Sequence, residues 1–495
     1  MPIDCRLLMI CRNCGFSETS VDVNSVAEPQ RQLADLYSEI ARLQVQINEL
    51  ENKQTSFKRE INARTPLFQL PPEVFSEIFA ICLGKAGPQN PPDHCVSIAT
   101  PLLFGRVCST WRQIAWSTPK LWTSLLLELE RSVDPALIHQ WLVRSSNHLI
   151  SIYATLRKLN PEPTSAILEI MHLISQHSER WQDISFQLPS FCYLALEGIQ
   201  DRLPNLNYIS IDSAAARLNL FSVAPFLRIV HVKADHLNGF ILPLNQLTEL
   251  SIDSHDAVES LDMLRRSPDV VTCSIRGWFE GNIGLHQNPT RILADKLESL
   301  HLEFQLEFID PMSDVFDSLT LPAIRNLSCA GVEHPFPYSS FVSLIFRSSC
   351  SLRTLSLTAL YVSDVEFAEC LQALPLLNKL TLTKVQVTSR LLYMLKPCYS
   401  SNANASCLLP SLDTFECLGL LDLDFSVLAS LLQSRWNIRQ TLNTLDAPYR
   451  IARLQSVKFG VTRVSAPKTS TLVLLRNLLE EGMEISLVTG AGTWL

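Results

Sequence analysis

The first regular pattern along the chain is a seam of apolar residues spaced alternately three and four positions apart. The seam consists of Leu33, Leu36, Ile40, Leu43, Ile47, Leu50, Phe57 and Ile61, with the polar Gln54 in the one remaining place. Isoleucine at a positions and leucine at d positions are typical of a parallel two-stranded coiled coil. The pattern therefore predicts a coiled coil over residues 31–64 and a homodimer through it. A single amphipathic helix that packs on its own chain is the alternative.

A compact pair of apolar segments follows. The stretch LPPEVFSEIFAICL starts at Leu70, and the stretch RVCSTWRQIAWSTPKLWTSL starts at Arg106 after a segment rich in proline. Their apolar residues recur at helical spacing, which predicts a helix, a loop and a second helix. Three tryptophans, Trp111, Trp116 and Trp122, stand in this short unit. So much aromatic surface predicts that a partner covers part of it.

Beyond Leu127 the chain repeats a short motif, L-x-x-L-x-L. Copies start at Leu206, Leu227, Leu247, Leu297, Leu352, Leu377 and Leu412, and looser copies at Trp181, Val270, Ile324 and Leu454. From Trp181 to Leu377 the starts lie 20 to 28 residues apart, which is the range of leucine-rich repeats. Helical patterns stand between copies, so each repeat is predicted to add one strand and one helix to a solenoid.

Side chains alternate along a strand, so the residues between the leucines are predicted to share one face of a parallel sheet. The candidates for binding a protein substrate on this concave face are Tyr208, His231, Lys233, Glu249, Asp253, Arg276, His301, Glu303 and Lys379. The alternative is that these polar side chains form only the solvated face of the sheet.

Composition restricts the function. A formal net charge of −8 argues against a nucleic-acid partner. The sequence contains no run of 18 apolar residues, so no membrane span is predicted. The 14 cysteines stand mostly alone in apolar segments, which is typical of a reducing compartment. No nucleotide-binding, metalloprotease or nucleophile-elbow motif occurs, so an enzyme is not expected. The pair Cys11 and Cys14 lacks a second pair for zinc, and neither a metal nor a cofactor is expected.

The segments that start at Leu70 and Arg106 together resemble an F-box, in the variant common among fungal F-box proteins. The resemblance rests on Leu-Pro at the start, Val-Cys-x-x-Trp-Arg in the middle and Thr-Pro-x-Leu-Trp at the end, over about 56 residues. It implies a small helical bundle that docks on a Skp-type adaptor of a cullin-RING ubiquitin ligase. The adaptor contacts that it implies are Leu70, Pro71, Val74, Ile78, Phe79, Val107, Cys108, Trp111 and Ile114. Many of these residues must also form the core of so small a unit.

Together these patterns predict an α/β chain with five parts. They are a flexible segment at 1–30, the coiled coil at 31–64, an all-α F-box bundle at 65–127, a helical connector at 128–180, and a leucine-rich-repeat-like α/β solenoid with a parallel inner sheet at 181–495. The expected function is that of a cytoplasmic or nuclear substrate receptor of a cullin-RING ubiquitin ligase. A non-enzymatic repeat scaffold without a ligase role is the alternative.

Overall fold

A computed structural model gives the fold of the chain. It describes residues 23–83, 99–131, 133–157, 162–212, 219–277, 291–304, 311–397, 408–419, 421–422, 425–437, 451–461, 469–489 and 492–493. The chain divides into two compact units, Met1–Ile78 and Phe79–Leu495.

The α-helices are α1 (Val23–Arg64), α2 (Pro72–Leu83), α3 (Ala99–Val107), α4 (Ser109–Ser117), α5 (Pro135–Arg144), α6 (Ser165–Ser175), α7 (Ser190–Leu194), α8 (Ala257–Arg265), α9 (Pro311–Ser318), α10 (Tyr338–Ser348), α11 (Asp364–Gln372), α12 (Ser389–Met394), α13 (Phe425–Trp436) and α14 (Thr469–Glu480). The strands are β1 (Ser124–Glu128), β2 (Ile150–Thr155), β3 (Trp181–Gln187), β4 (Tyr208–Asp212), β5 (Ile229–Ala234), β6 (Glu249–Ser254), β7 (Thr272–Gly277), β8 (Ile292–Leu293), β9 (Ser299–Phe304), β10 (Leu319–Thr320), β11 (Asn326–Pro335), β12 (Thr354–Tyr361), β13 (Lys379–Thr383), β14 (Val387–Thr388), β15 (Thr414–Gly419), β16 (Leu421–Asp422), β17 (Ser456–Val461), β18 (Glu484–Thr489) and β19 (Gly492–Thr493).

The first unit contains one long helix, α1, which is 42 residues long. The heptad pattern predicts its course well, but the helix begins at Val23, inside the segment that was predicted to be flexible. It contains Pro29, which cannot donate a backbone hydrogen bond, in its second turn. It ends at Arg64, just before Pro66, as predicted.

The second unit is built on a long, almost wholly parallel sheet. Within the described residues this sheet has fifteen strands, ordered β1-β2-β3-β4-β5-β6-β7-β9-β11-β12-β13-β15-β17-β18-β19, and only β18 and β19 pair antiparallel. Strands β8 and β10 pair separately, as do β14 and β16. A long sheet whose strands follow chain order fits the leucine-rich-repeat-like prediction. Every L-x-x-L-x-L copy from Trp181 onward contributes one strand to it.

The leucines of the motif form the core beneath this sheet. Leu355 on β12 and Leu380 on β13 are fully buried and directly paired, whereas the neighbouring Thr354 and Lys379 are half-buried. The same alternation recurs on β9, where Leu300 and Leu302 are buried. This burial confirms the predicted strand register.

Two features of the repeat region differ from the prediction. The segment 128–180 is not a helical connector, because β2 lies within it and joins the sheet between β1 and β3. The sheet therefore begins at Ser124, inside the range predicted for the F-box. In addition, only a 3₁₀ turn, Leu244–Gln246, lies between β5 and β6. These strands belong to the shortest repeat, whose 20 residues leave too little chain for a helix.

Candidate functional site

The first unit carries the start of the F-box-like segment. The carbonyl of Pro71 accepts a hydrogen bond from the backbone N–H of Val74 at 3.0 Å, and this bond opens α2. Pro72 occupies the first turn, where a missing N–H costs nothing. The side chains of Leu70, Val74 and Ile78 remain about 40% exposed, and Pro71 is also exposed. An apolar strip is therefore open to a partner at the start of this helix.

The second unit holds the remaining candidate adaptor residues, and most of them serve packing. Phe79 is buried, with its ring stacked on Phe104 at 4.1 Å and tilted against Trp111 at 5.0 Å. Ile114 is also buried, so neither Phe79 nor Ile114 is available to an adaptor in this conformation. Of the candidates in this unit, Val107 is the one whose side chain is largely exposed.

The second predicted helix is in fact two helices, α3 and α4, which are separated at Cys108. Its backbone is extended between α3 and α4, and its Sγ accepts a hydrogen bond from the backbone N–H of Trp111 at 3.4 Å. Cys108 thus acts as the N-cap of α4. Val107 consequently ends α3 and does not share a helical face with Trp111 and Ile114, contrary to the sequence prediction.

The chain itself covers most of the tryptophan surface, which was predicted to need a partner. The indole N–H of the buried Trp122 donates to the carbonyl of Ala115 at 2.8 Å. The Arg144 guanidinium lies 5.1 Å from the ring centre of Trp116 and 4.8 Å from that of Trp122. Gly105 packs so tightly on Trp116 that any Cβ at this position would lie 1.9 Å from the ring. Cation–π contacts and this close helix approach therefore bury much of this aromatic surface within the chain.

The second candidate surface is the polar face of the sheet, defined as the face that carries Ser210, Asp212 and their in-register neighbours. Five charged residues occupy equivalent positions on successive strands of this face: Asp212, Lys233, Asp253, Arg276 and Glu303. Their charges alternate in sign from strand to strand. The Lys233 ammonium lies 3.3 Å from an Asp212 carboxylate oxygen. Opposite charges in register stabilise strand pairing modestly, and they also present an ordered pattern to a partner.

A hydrogen-bonded chain crosses β4, β5 and β6 on the same face. The Tyr208 hydroxyl lies 3.3 Å from Nδ1 of His231, and Nε2 of His231 lies 3.3 Å from a carboxylate oxygen of Glu249. His231 and Glu249 are partly exposed, but Tyr208 is buried. The sequence had predicted that Tyr208 contacts a substrate. Because it is buried, Tyr208 is better placed to orient His231.

The remaining substrate candidates lie on the same face of later strands. His301 and Glu303 on β9 are close to each other, with 3.7 Å between Nε2 and Oε2. The Lys379 ammonium on β13 donates to a Glu416 carboxylate oxygen on β15 at 2.7 Å. Between these two places the polar face carries small hydroxyl side chains such as Ser328 and Ser356. Charged candidates are therefore concentrated on strands β5 to β9.

Polar residues on β2 and β3, which were not among the candidates predicted from the sequence, extend this face. The Ser151 hydroxyl donates to a carboxylate oxygen of Asp183 at 2.8 Å, and burial raises the pKa of Asp183. Burial also raises the pKa of Tyr153, whose hydroxyl has no hydrogen-bond partner within the described parts of the chain. Alternation in the stretch ISIYAT, residues 150–155, is the signal that could have revealed this strand.

Five of the eight cysteines in the described residues are buried. No cluster of histidine, cysteine and acidic residues there could hold a metal ion, while Cys11 and Cys14 lie outside the described residues. Burial raises the pKa of Cys273 and of Cys417 to about 12, so these thiols are poor nucleophiles. None of the helices in the described ranges is long and apolar enough to cross a membrane.

Comparisons with known proteins find similarity among solved structures alone. No protein-family model matches the chain, and no curated protein matches it. Among solved structures, the chain is similar to the crystal structure of a TLR13-ssRNA13 complex, with 14% sequence identity and a TM-score of 0.25. The match covers 63% of this chain and 49% of that chain, so this chain spans about half the length of the matched protein.

Proposed function

We propose that the chain is the substrate receptor of a cullin-RING ubiquitin ligase. In this function the F-box-like segment binds a Skp-type adaptor, and the polar face of the sheet binds the substrate protein. The chain would contribute no catalytic residue, because ubiquitin transfer is performed by other subunits of such a ligase.

The observation that carries the proposal is the apolar strip of Leu70, Pro71, Val74 and Ile78. Surface-exposed leucine, valine and isoleucine side chains in one short segment are typical of a partner-binding site. They coincide with the Leu-Pro start and the following helix of the F-box resemblance. Phe79 and Ile114 are buried and support the fold in this proposal, so the adaptor-binding set is smaller than the sequence suggested.

The polar face supports the receptor part of the proposal. Its charges are fixed in register by the sheet, so they present a rigid pattern that needs little ordering when a partner binds. Among the candidate residues, His231, Lys233, Glu249, Asp253, Arg276, His301 and Glu303 are accessible on β5 to β9. We infer that substrate contacts are concentrated there, with Lys379 at a separate position beside Glu416.

Adaptor binding tests the proposal. Simultaneous Leu70→Ala and Pro71→Ala changes remove apolar contact area from the strip, and we expect the affinity for a purified Skp-type adaptor to fall at least about thirtyfold. Both residues are exposed, so the thermal midpoint should change little. Titration of the full chain with the adaptor by isothermal calorimetry measures the effect.

Val143→Ala provides the matched control, because Val143 on α5 is apolar and 60% exposed but lies outside the F-box-like segment. This variant should bind the adaptor as the unchanged chain does. Full affinity in a folded Leu70→Ala, Pro71→Ala variant would refute the adaptor surface and leave the repeat scaffold as the better hypothesis.

A further inference from the structure

Helix α1 exposes a continuous apolar seam that nothing else in the described residues of the first unit covers. The eight apolar residues at its a and d positions, from Leu33 to Ile61, are each between 45% and 67% exposed. The helix is uninterrupted over this range, so the seam is about 40 Å long at roughly 1.5 Å per residue. An apolar stripe of this length on a soluble helix is typical of a helix-pairing surface.

The composition of the seam indicates what pairs with it. Isoleucine occupies a positions at Ile40, Ile47 and Ile61, and leucine occupies d positions at Leu36, Leu43 and Leu50. This arrangement is self-complementary in a two-stranded coil, because each layer packs a side chain against its own copy. We propose that α1 forms a parallel coiled-coil dimer with α1 of a second copy of this chain, with Gln54 fixing the register.

The polar Gln54 favours the parallel direction. In a parallel dimer, its amide faces the same amide of the second copy, and the two can hydrogen-bond. In the antiparallel dimer that aligns Leu33 with Phe57 of the second copy, Gln54 instead faces Leu36. The amide would then be buried beside an apolar side chain at both ends of the coil, which is costly.

The charges beside the seam favour the antiparallel dimer, but their effect is weaker than that of Gln54. In the parallel dimer Lys53 at a g position faces Lys58 at an e position of the second copy, whereas in the antiparallel dimer Lys53 faces Glu39. These side chains lie at the solvated edge of the coil, where a charge pair contributes little. The buried Gln54 therefore decides the direction, and the Lys53 contact provides a way to measure it.

Sedimentation equilibrium of the full chain tests pairing through the seam. We expect a dimer at about 10 µM, and we expect Ile47→Lys to weaken dimerisation at least about hundredfold because it places two lysine side chains against each other in one apolar layer. Val45→Lys is the matched control, since Val45 is similarly exposed but lies at an f position away from the seam. A monomeric unchanged chain, or equal loss in both variants, would overturn the proposal.

Lys53→Glu tests the direction. In the parallel dimer this change replaces a repulsion by an attraction to Lys58 at both edges, so the dimer should become about fivefold tighter. In the antiparallel dimer it places the new carboxylate against Glu39 and should weaken the dimer. Weaker dimerisation, or an affinity unchanged at low ionic strength, would overturn the parallel register.

Discussion

Replacing Arg435 by alanine is expected to lower the free energy of unfolding by about 3–5 kcal/mol, because it leaves buried carbonyl groups without their hydrogen-bond donor and leaves a cavity. Arg435 on α13 is fully buried. Its guanidinium donates to the carbonyls of Leu395, Leu408 and Leu409 at distances of 2.5 to 3.0 Å. It therefore ties α13 to the end of α12 and to the segment before β15.

Urea denaturation followed by circular dichroism measures this loss. Arg435→Met separates the two causes, because methionine fills much of the volume but cannot donate to the carbonyls. We expect Arg435→Met to lose most of the stability that alanine loses. Arg435→Lys should recover only part of it, because an ammonium cannot reach all of these carbonyls with the geometry of a guanidinium. Wild-type stability in Arg435→Met would show that Arg435 acts only through packing.

The second large effect is expected at the leucines beneath the sheet. Leu355→Ala or Leu380→Ala should each cost about 2–5 kcal/mol, because both side chains are fully buried and truncation leaves a cavity. Thr354→Ala should cost less than about 0.5 kcal/mol, since Thr354 is the neighbour of Leu355 on the opposite face of β12. The same denaturation measurement compares them. Similar losses at Leu355 and Thr354 would show that the strand register is wrong.

The sequence predicts the repeat region well because each strand carries its own signal. The first, fourth and sixth residues of each copy must be apolar because their side chains reach the core. Leu352, Leu355 and Leu357 therefore mark β12 without knowledge of the rest of the chain. The motif is irregular at β1 and β2, and these two strands were therefore not predicted. Leu121 and Leu125 there had been assigned to the end of the F-box, although Leu125 lies on β1.

The candidate sites were harder to predict, because exposure depends on packing that no local pattern records. The F-box resemblance implied that both Ile78 and Phe79 contact an adaptor, but Phe79 stacks on Phe104, and of the two only Ile78 remains exposed. Alternation placed Tyr208 on the polar face, yet its ring packs edge-on against His231 and is buried. In both cases the sequence identified the correct element, and the long-range contact determined what the side chain can do.

Titration of the full chain with a purified Skp-type adaptor tests the proposed function most directly, because it requires no knowledge of the substrate. The proposal predicts saturable binding of one adaptor per chain, with a dissociation constant of about 1 µM or below, corresponding to roughly 8 kcal/mol. A folded chain that shows no binding at about 50 µM adaptor would contradict the ligase-receptor function.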